Sequence, residues 1–382
     1  MKFHEDLIDG QFYQLTSAAR RGDAAVVKML LDRSQSKGIE ARDPDDRTIL
    51  GVAAKWGHAI SVAVLLDFGA DIEATDRWDC TALWVAARYG HTQTAALLLD
   101  RGANIETKTA RHPLPSSPLL AAMRGRHYDT ALLLVQRGAD PNTFDLYHQT
   151  PLYLAVRNQN QALIKALLDR GADLHLRTRS QSYPLFCAVI QNNITMVHIL
   201  LEAKGSPNLI GSSGYYKGQM PIVIAMHKGY TAIATLLLEY GAYPGRAWKP
   251  RDHYSWRWNP LQGWSARSPL LMTVILHIPR KGPWMEQMAT MLIENGADSN
   301  SIDDDGNTPF FCAMITRNVA MMQLLCKFGA DVYGIRNGRT VLEWARIIAD
   351  PAIDAFLGEK GIHEKCTNDP DDINHDVWKP SP

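Results

Sequence analysis

A pattern of about thirty-three residues recurs along this chain of 382 residues, and it constrains the fold more than any other feature. The segments Thr81-Ala82-Leu83-Trp84-Val85-Ala86-Ala87, Thr150-Pro151-Leu152-Tyr153-Leu154-Ala155-Val156 and Thr308-Pro309-Phe310-Phe311-Cys312-Ala313-Met314 are variants of one motif. Each is followed, 21 residues after its Thr, by Gly-Ala-Asn or Gly-Ala-Asp, beginning at Gly102, Gly171 and Gly329. With the Thr position as marker, repeats start near 13, 48, 81, 117, 150, 183, 220, 268, 308 and 340. A fixed period of this size marks stacked supersecondary units, because one such unit cannot bury its apolar face alone.

Each recurring position has a physical task. Thr or Ser at 48, 81, 117, 150, 268, 308 and 340 is suited to cap a helix N-terminus, its hydroxyl accepting a free first-turn N–H. Pro at 118, 151, 184, 221, 269 and 309 then falls at the first helical position, where its missing N–H costs nothing. Ala53, Ala86, Ala122, Ala155, Ala188, Ala225, Ala313 and Ala345 let neighbouring helices approach. A second helix carries an apolar stripe ending in Leu65, Leu98, Leu134, Leu167, Leu201, Leu237, Leu292 and Leu325. Glycines such as Gly102 and Gly171 then supply a left-handed stop.

On these residues the chain resembles the ankyrin repeat family, whose signature is T-P-L-H-x-A. The resemblance covers about residues 11 to 363 and extends to the stand-alone multi-repeat members common in filamentous fungi. It implies an all-α solenoid of about ten helix-turn-helix units with β-turn fingers. The signature His is replaced by residues such as Trp84, Tyr153 and Phe311, which predicts a weaker capping network. Tyr183 and Met220 stand where Thr is expected.

Length in excess of the period marks what stacking does not explain. Residues 244–267 form a finger insertion and 278–284 an insertion between helices, both in the repeat that starts near 268. Residues 1–12 are read as a lead-in, 13–363 as the repeat solenoid, and 364–382 as an acidic tail expected to be disordered. The first insertion is one long Trp-rich stretch that interleaves aromatic rings with bases.

Composition narrows the function. Lys plus Arg is 40 and Asp plus Glu is 40, so no whole-chain field draws the protein to nucleic acid or an anionic membrane, and neither is expected as a partner. The longest apolar run, Pro269 to Ile278, is about half the ~20 residues a spanning helix needs. The acidic start Met1-Lys2-Phe3-His4-Glu5-Asp6 has no signal-peptide apolar stretch. Five scattered cysteines suggest neither a disulfide framework nor metal spacing, so a cytoplasmic or nuclear location is expected, with no cofactor and no metal. Asp303-Asp304-Asp305 superficially suggests calcium but matches a finger turn.

The expected function is therefore non-catalytic: a protein-protein interaction scaffold or adaptor that binds a protein partner through its finger surface and the insertion. Aromatic and Arg side chains dominate interface energetics, which singles out Trp78, Tyr147, Tyr215, Tyr216, Trp248, Trp256, Arg257 and Trp258. The rings of the insertion can also form a local core that holds the long loop against the solenoid, and the two readings can coexist. Arg77, Arg111, Arg336 and Arg339 extend the same finger ridge, with Asp76, Asp79 and Asp145 tempering its charge. An alternative stays open: an accessory enzyme of a specialised-metabolite pathway, an isomerase, cyclase or hydrolase of an apolar small molecule, with Asp252, His253 and His277 as candidate catalytic groups.

Overall fold

Helices begin where the sequence places a hydroxyl. Thr48, Thr81, Ser117, Thr150, Thr308 and Thr340 each accept, through the side-chain oxygen, the N–H of the residue three positions on. Such a cap is worth about 1 kcal/mol. Tyr183 and Met220 cap with no side-chain bond and are followed instead by Pro at the first helical position. The computed structural model describes residues 13–36, 38–43, 46–109, 111–112, 115–180, 182–211, 219–244, 269–277, 283–303, 305–336 and 338–362.

The described chain is an all-α succession of paired helices, its only β contacts being isolated bridges at Arg42–Thr48 and Arg336–Arg339. It divides into two compact units, 1–217 and 218–382. In the first, α1 covers 13–21 and pairs with α2 (Ala24–Ser34). Then follow α3 (Ile49–Lys55) with α4 (Ala59–Asp67), α5 (Ala82–Tyr89) with α6 (Thr92–Asp100), and α7 (Pro118–Gly125) with α8 (Tyr128–Gln136). The unit ends with α9 (Pro151–Arg157) and α10 (Gln161–Asp169), then α11 (Pro184–Ile190) and α12 (Ile194–Glu202). The second unit holds α13 (Pro221–Lys228) with α14 (Thr231–Glu239), α15 (Leu270–His277) with α16 (Pro283–Glu294), α17 (Pro309–Ile315) with α18 (Val319–Lys327), and α19 (Val341–Ile348) with α20 (Pro351–Glu359).

Within each unit the helices stack in two layers. In the first unit α3, α5, α7, α9 and α11 pack in succession, and α2, α4, α6, α8 and α10 do the same beside them. In the second unit α13, α15, α17 and α19 form one row and α14, α16, α18 and α20 the other. The small residues permit this approach: Ala53, Ala86, Ala122, Ala155 and Ala188 have no exposed surface. Helix after helix therefore buries its stripe only because a neighbour of the same shape lies against it.

Three features depart from expectation. Gly102 closes its helix in the left-handed region at φ 89°, but the equivalent residue after α12 is Lys204, at φ 66°. The N–H of Gly205 then reaches the Leu200 carbonyl at 2.9 Å, as Ala103 reaches Leu98, so the core leucine of that repeat is Leu200 rather than Leu201. Of the segment read as an insertion at 278–284, residues 278–282 lie outside the described residues, while Pro283 and Trp284 belong to the first turn of α16. That helix has 12 residues where α14 and α18 have 9. Nor does loss of the signature His always weaken the network, because Trp84 at that position donates through Nε1 to the carbonyl of Ser116 in the next finger at 3.1 Å.

Neighbouring repeats are also tied by polar ladders that the motif did not reveal. Glu40, Glu73 and Glu106 each accept, through Oε1, the backbone N–H of the first finger residue of the next repeat, at 2.7 Å. Asn142 and Asn300 accept through Oδ1 from the amides of Asp173 and Asp331, at 2.7 and 2.6 Å. On the other layer Arg101 pairs with Asp67 at 2.7 Å and Arg137 with Asp100 at 2.6 Å. These exposed pairs add little energy singly, but each fixes one repeat relative to the next.

Candidate functional site

Several fingers owe their shape to a single carboxylate. Asp76 Oδ1 accepts the N–H groups of Trp78 and Cys80, both at 2.9 Å. Asp145 Oδ1 does the same for Tyr147 and Gln149, and Asp303 Oδ1 for Asp305 and Asn307. Hydroxyls take over in two other fingers, where Thr109 accepts from the amide of Ser116 and Thr178 from that of Ser182. An Asx turn of this kind pins the loop so that the residues between project outward. Asp76, Asp145 and Asp303 thus have a structural task besides their charge, and Asp145 and Asp303 are buried.

Between the fingers and the first-row helices of the first unit lies a cleft of about 560 Å³. Its floor is apolar: Cys80, Trp84, Val85 and Ala121 form a buried cluster against which Trp78 packs. The His112 ring lies 4.8 Å from the Trp84 ring at one side. Tyr147, 55% exposed, and Gln149 close the finger side. Burial raises the Cys80 thiol well above its ordinary range, and the Asp76 carboxylate adds to the effect, so Cys80 is a neutral wall group and not a nucleophile.

The cleft wall is cationic. Arg47, Lys55, Arg88 and Arg124 line it, against Asp76 as the one carboxylate in that lining. Arg124 Nη2 donates to Asp145 Oδ2 at 2.7 Å. Lys55 lies 5.6 Å from the centre of the Tyr89 ring. Lys55, Arg88 and Arg124 occupy one position, seven residues after the capping Thr or Ser, and Arg20 and Arg157 occupy it in the repeats on either side. The signal was present in the sequence as a basic residue recurring at the repeat period.

The expected binding residues separate into two groups. Trp78 and Tyr147 line this cleft together. Trp78 is partly buried, however, and Arg77 lies 5.2 Å over its ring, so much of its surface belongs to the unit's own packing. Tyr215, Tyr216, Trp248, Trp256, Arg257 and Trp258 fall outside the described residues, as do Asp252 and His253 and the side chain of His277. Phe144 and Leu146, beside Tyr147 on the same finger, were not singled out from sequence and are 56% and 40% exposed. On the second unit Arg336 is less available than expected, since its guanidinium lies 4.5 Å over Phe311 and 5.9 Å from the Trp344 ring.

Comparison with known proteins agrees with this architecture. A family model described as ankyrin repeats matches residues 15–109, 110–178 and 281–365, which is more than half of the chain. The chain belongs to the ankyrin repeat family. Proteins built of such repeats serve in general as protein-interaction modules. A curated relative, the "Ankyrin repeat and LEM domain-containing protein 1 homolog" of Caenorhabditis elegans, is 48% identical over 59 residues, covering 15% of this chain and 8% of the relative. The chain thus matches less than a tenth of that protein's length. Among solved structures, the ankyrin repeat domain of Bcl-3, titled a unique member of the IkappaB protein family, is 24% identical, covers 55% of this chain and 92% of that domain, and has a TM-score of 0.48. Among the described residues no helix is long and apolar enough to cross a membrane.

Proposed function

We propose that this protein is a non-catalytic recognition module that binds a protein partner at the cleft of its first unit. The observation that carries the reading is the finger at 140–149, which presents Phe144, Leu146 and Tyr147 to solvent directly beside an aromatic-floored cleft. Large apolar side chains held rigidly at a surface favour association because little ordering remains to be done on binding. A cluster of this kind, next to a concavity, is the usual composition of an interface core. The rings and bases of the insertion, at Trp248, Trp256, Arg257 and Trp258, are a separate contact in this proposal, supported by residue type alone. The free thiols of Cys80, Cys187 and Cys312, all buried, support a reducing cytoplasmic or nuclear compartment.

Affinity capture tests the reading. Native protein and a Phe144→Ala/Tyr147→Ala variant of matched thermal stability are immobilised, and their bound proteins compared. A partner held by the native form and released by the variant supports the cleft as the docking surface. A partner held equally by both would place recognition elsewhere.

A further inference from the structure

The ladder of cations in the first unit is the least explained feature of the molecule. Arg20, Lys55, Arg88, Arg124 and Arg157 stand at the same helix position in five successive repeats, each in the last turn of its first-row helix. In the five later repeats the corresponding residues are Ile190, His227, Ile275, Ile315 and Ile347. A chain of zero formal net charge has therefore gathered a single-sign row in one half. A cation at a helix C-terminus is favoured by the helix dipole, which explains one Arg or Lys but not why five consecutive repeats carry it and the next five do not.

Compensation along the row is sparse. Of the five, Arg124 has a carboxylate partner, the buried Asp145. Arg20 and Lys55 lie over the rings of Trp56 and Tyr89, at 5.1 and 5.6 Å. Among the described residues Lys55, Arg88 and Arg157 make no ion pair, and Arg88 and Arg157 are exposed. The finger carboxylates that could answer them are held by backbone amides, as at Asp76.

We infer that this row is a docking track for an extended acidic segment of a protein partner, with acidic side chains on Lys55 and Arg88 and an apolar residue seated beside Trp78 and Tyr147. The inference rests on the reading that the cleft binds protein. Packed helices lie roughly 8–10 Å apart, and a segment extended in the polyproline II conformation, with three residues per turn at about 3.1 Å each, presents the same face again after roughly 9 Å. One cation per repeat therefore matches one acid at about every third residue of the bound segment. A single-stranded nucleic acid fits less well, because Asp76 interrupts the cationic wall and a continuous row of phosphates has to pass it.

The test uses a display library of random peptides of about twelve residues, selected on the purified full chain and counter-selected on a Phe144→Ala/Tyr147→Ala variant. The expected result is enrichment of Asp and Glu at a spacing of about three, with peptides whose affinity falls at least tenfold on Arg88→Glu and recovers with lysine-substituted peptides. Their binding should also weaken steeply from about 50 to 200 mM salt, as screening shortens the reach of exposed charges. Enrichment of neutral or basic peptides at the cleft overturns the acidic track and leaves the protein-binding reading standing. An absence of any cleft-dependent peptide overturns both. An oligothymidine that binds more tightly than the selected peptides, and is lost with Arg88→Glu, overturns the choice of partner class.

Discussion

Arg124 Nη2 lies 2.7 Å from Asp145 Oδ2, with the carboxylate side chain fully buried and the Arg side chain 17% exposed. The pair fastens α7 to the finger of the following repeat, the same finger whose turn Asp145 holds with its other oxygen. One carboxylate thus both shapes the loop that carries Tyr147 and joins that loop to the repeat before it.

Removal of either partner should therefore cost more than a surface ion pair. Arg124→Ala is expected to destabilise the first unit by about 3 kcal/mol, the lower end of the range for breaking a buried pair, because Arg124 is partly solvated. An Arg124→Met/Asp145→Asn double variant should cost less than the sum of Arg124→Met and Asp145→Asn made singly, by about 1 kcal/mol or more. Urea unfolding of the four proteins measures this, and strictly additive effects would show that the two groups are not coupled.

Gly57 is held at φ 76°, and a Cβ there would run into the His91 ring of the next repeat. His91 Nε2 in turn donates to the Lys55 carbonyl at 2.8 Å. Gly138 has φ 95° and open space around the same atom. Gly138→Ala should cost about 1 kcal/mol, the strain of a left-handed non-glycine residue, and Gly57→Ala about 2 kcal/mol or more. Adding His91→Ala to Gly57→Ala removes the clash but not the strain, and equal stabilities for the two glycine variants would argue against the packing described.

Trp78 and Tyr147 share the cleft but should respond differently to truncation. Trp78 packs on Cys80, Trp84, Val85 and Ala121, so Trp78→Ala is expected to cost about 2 kcal/mol of stability. Tyr147 is 55% exposed, and Tyr147→Ala should change stability by less than about 0.5 kcal/mol. A thermal melt of each variant decides the matter, and a large loss from Tyr147→Ala would make that ring part of the core.

Burial pushes the thiol of Cys312 up to about 12, from an ordinary value of 9.0, with the Asp303 carboxylate contributing. The folded state therefore keeps its proton at pH values where the unfolded chain has lost it. The stabilising contribution is complete below about pH 9 and declines as pH rises toward 12, by at most about 1.4 kcal/mol per pH unit. The cost of Cys312→Ala should accordingly shrink between about pH 8.5 and 10.5. A cost that stays constant over that window would contradict the raised thiol.

Much of the fold was readable because its signals are local. The hydroxyl of Thr150 bonds the amide of Tyr153, three residues away, and Gly171 closes its helix through its own φ, so caps and stops declare themselves within one repeat. Lys204 escaped because a left-handed Lys carries no such signature. The fingers were harder. Asp145 reads as a charged tip until the loop closes on it, and the bond from Trp84 to Ser116 spans 32 residues that only stacking brings together.

The repeat period already contained the helix pairs, their order and the residues at which each begins, because those depend on backbone chemistry within a turn or two of chain. Which side chains remain available for a partner was settled only when one repeat was laid against the next. Trp78 is partly buried against its own unit, while Phe144 and Tyr147 stay more than half exposed. Cations about thirty-three residues apart became a single row by the same stacking. Burial and proximity depend on the neighbouring repeat, and no position in a single repeat specifies them.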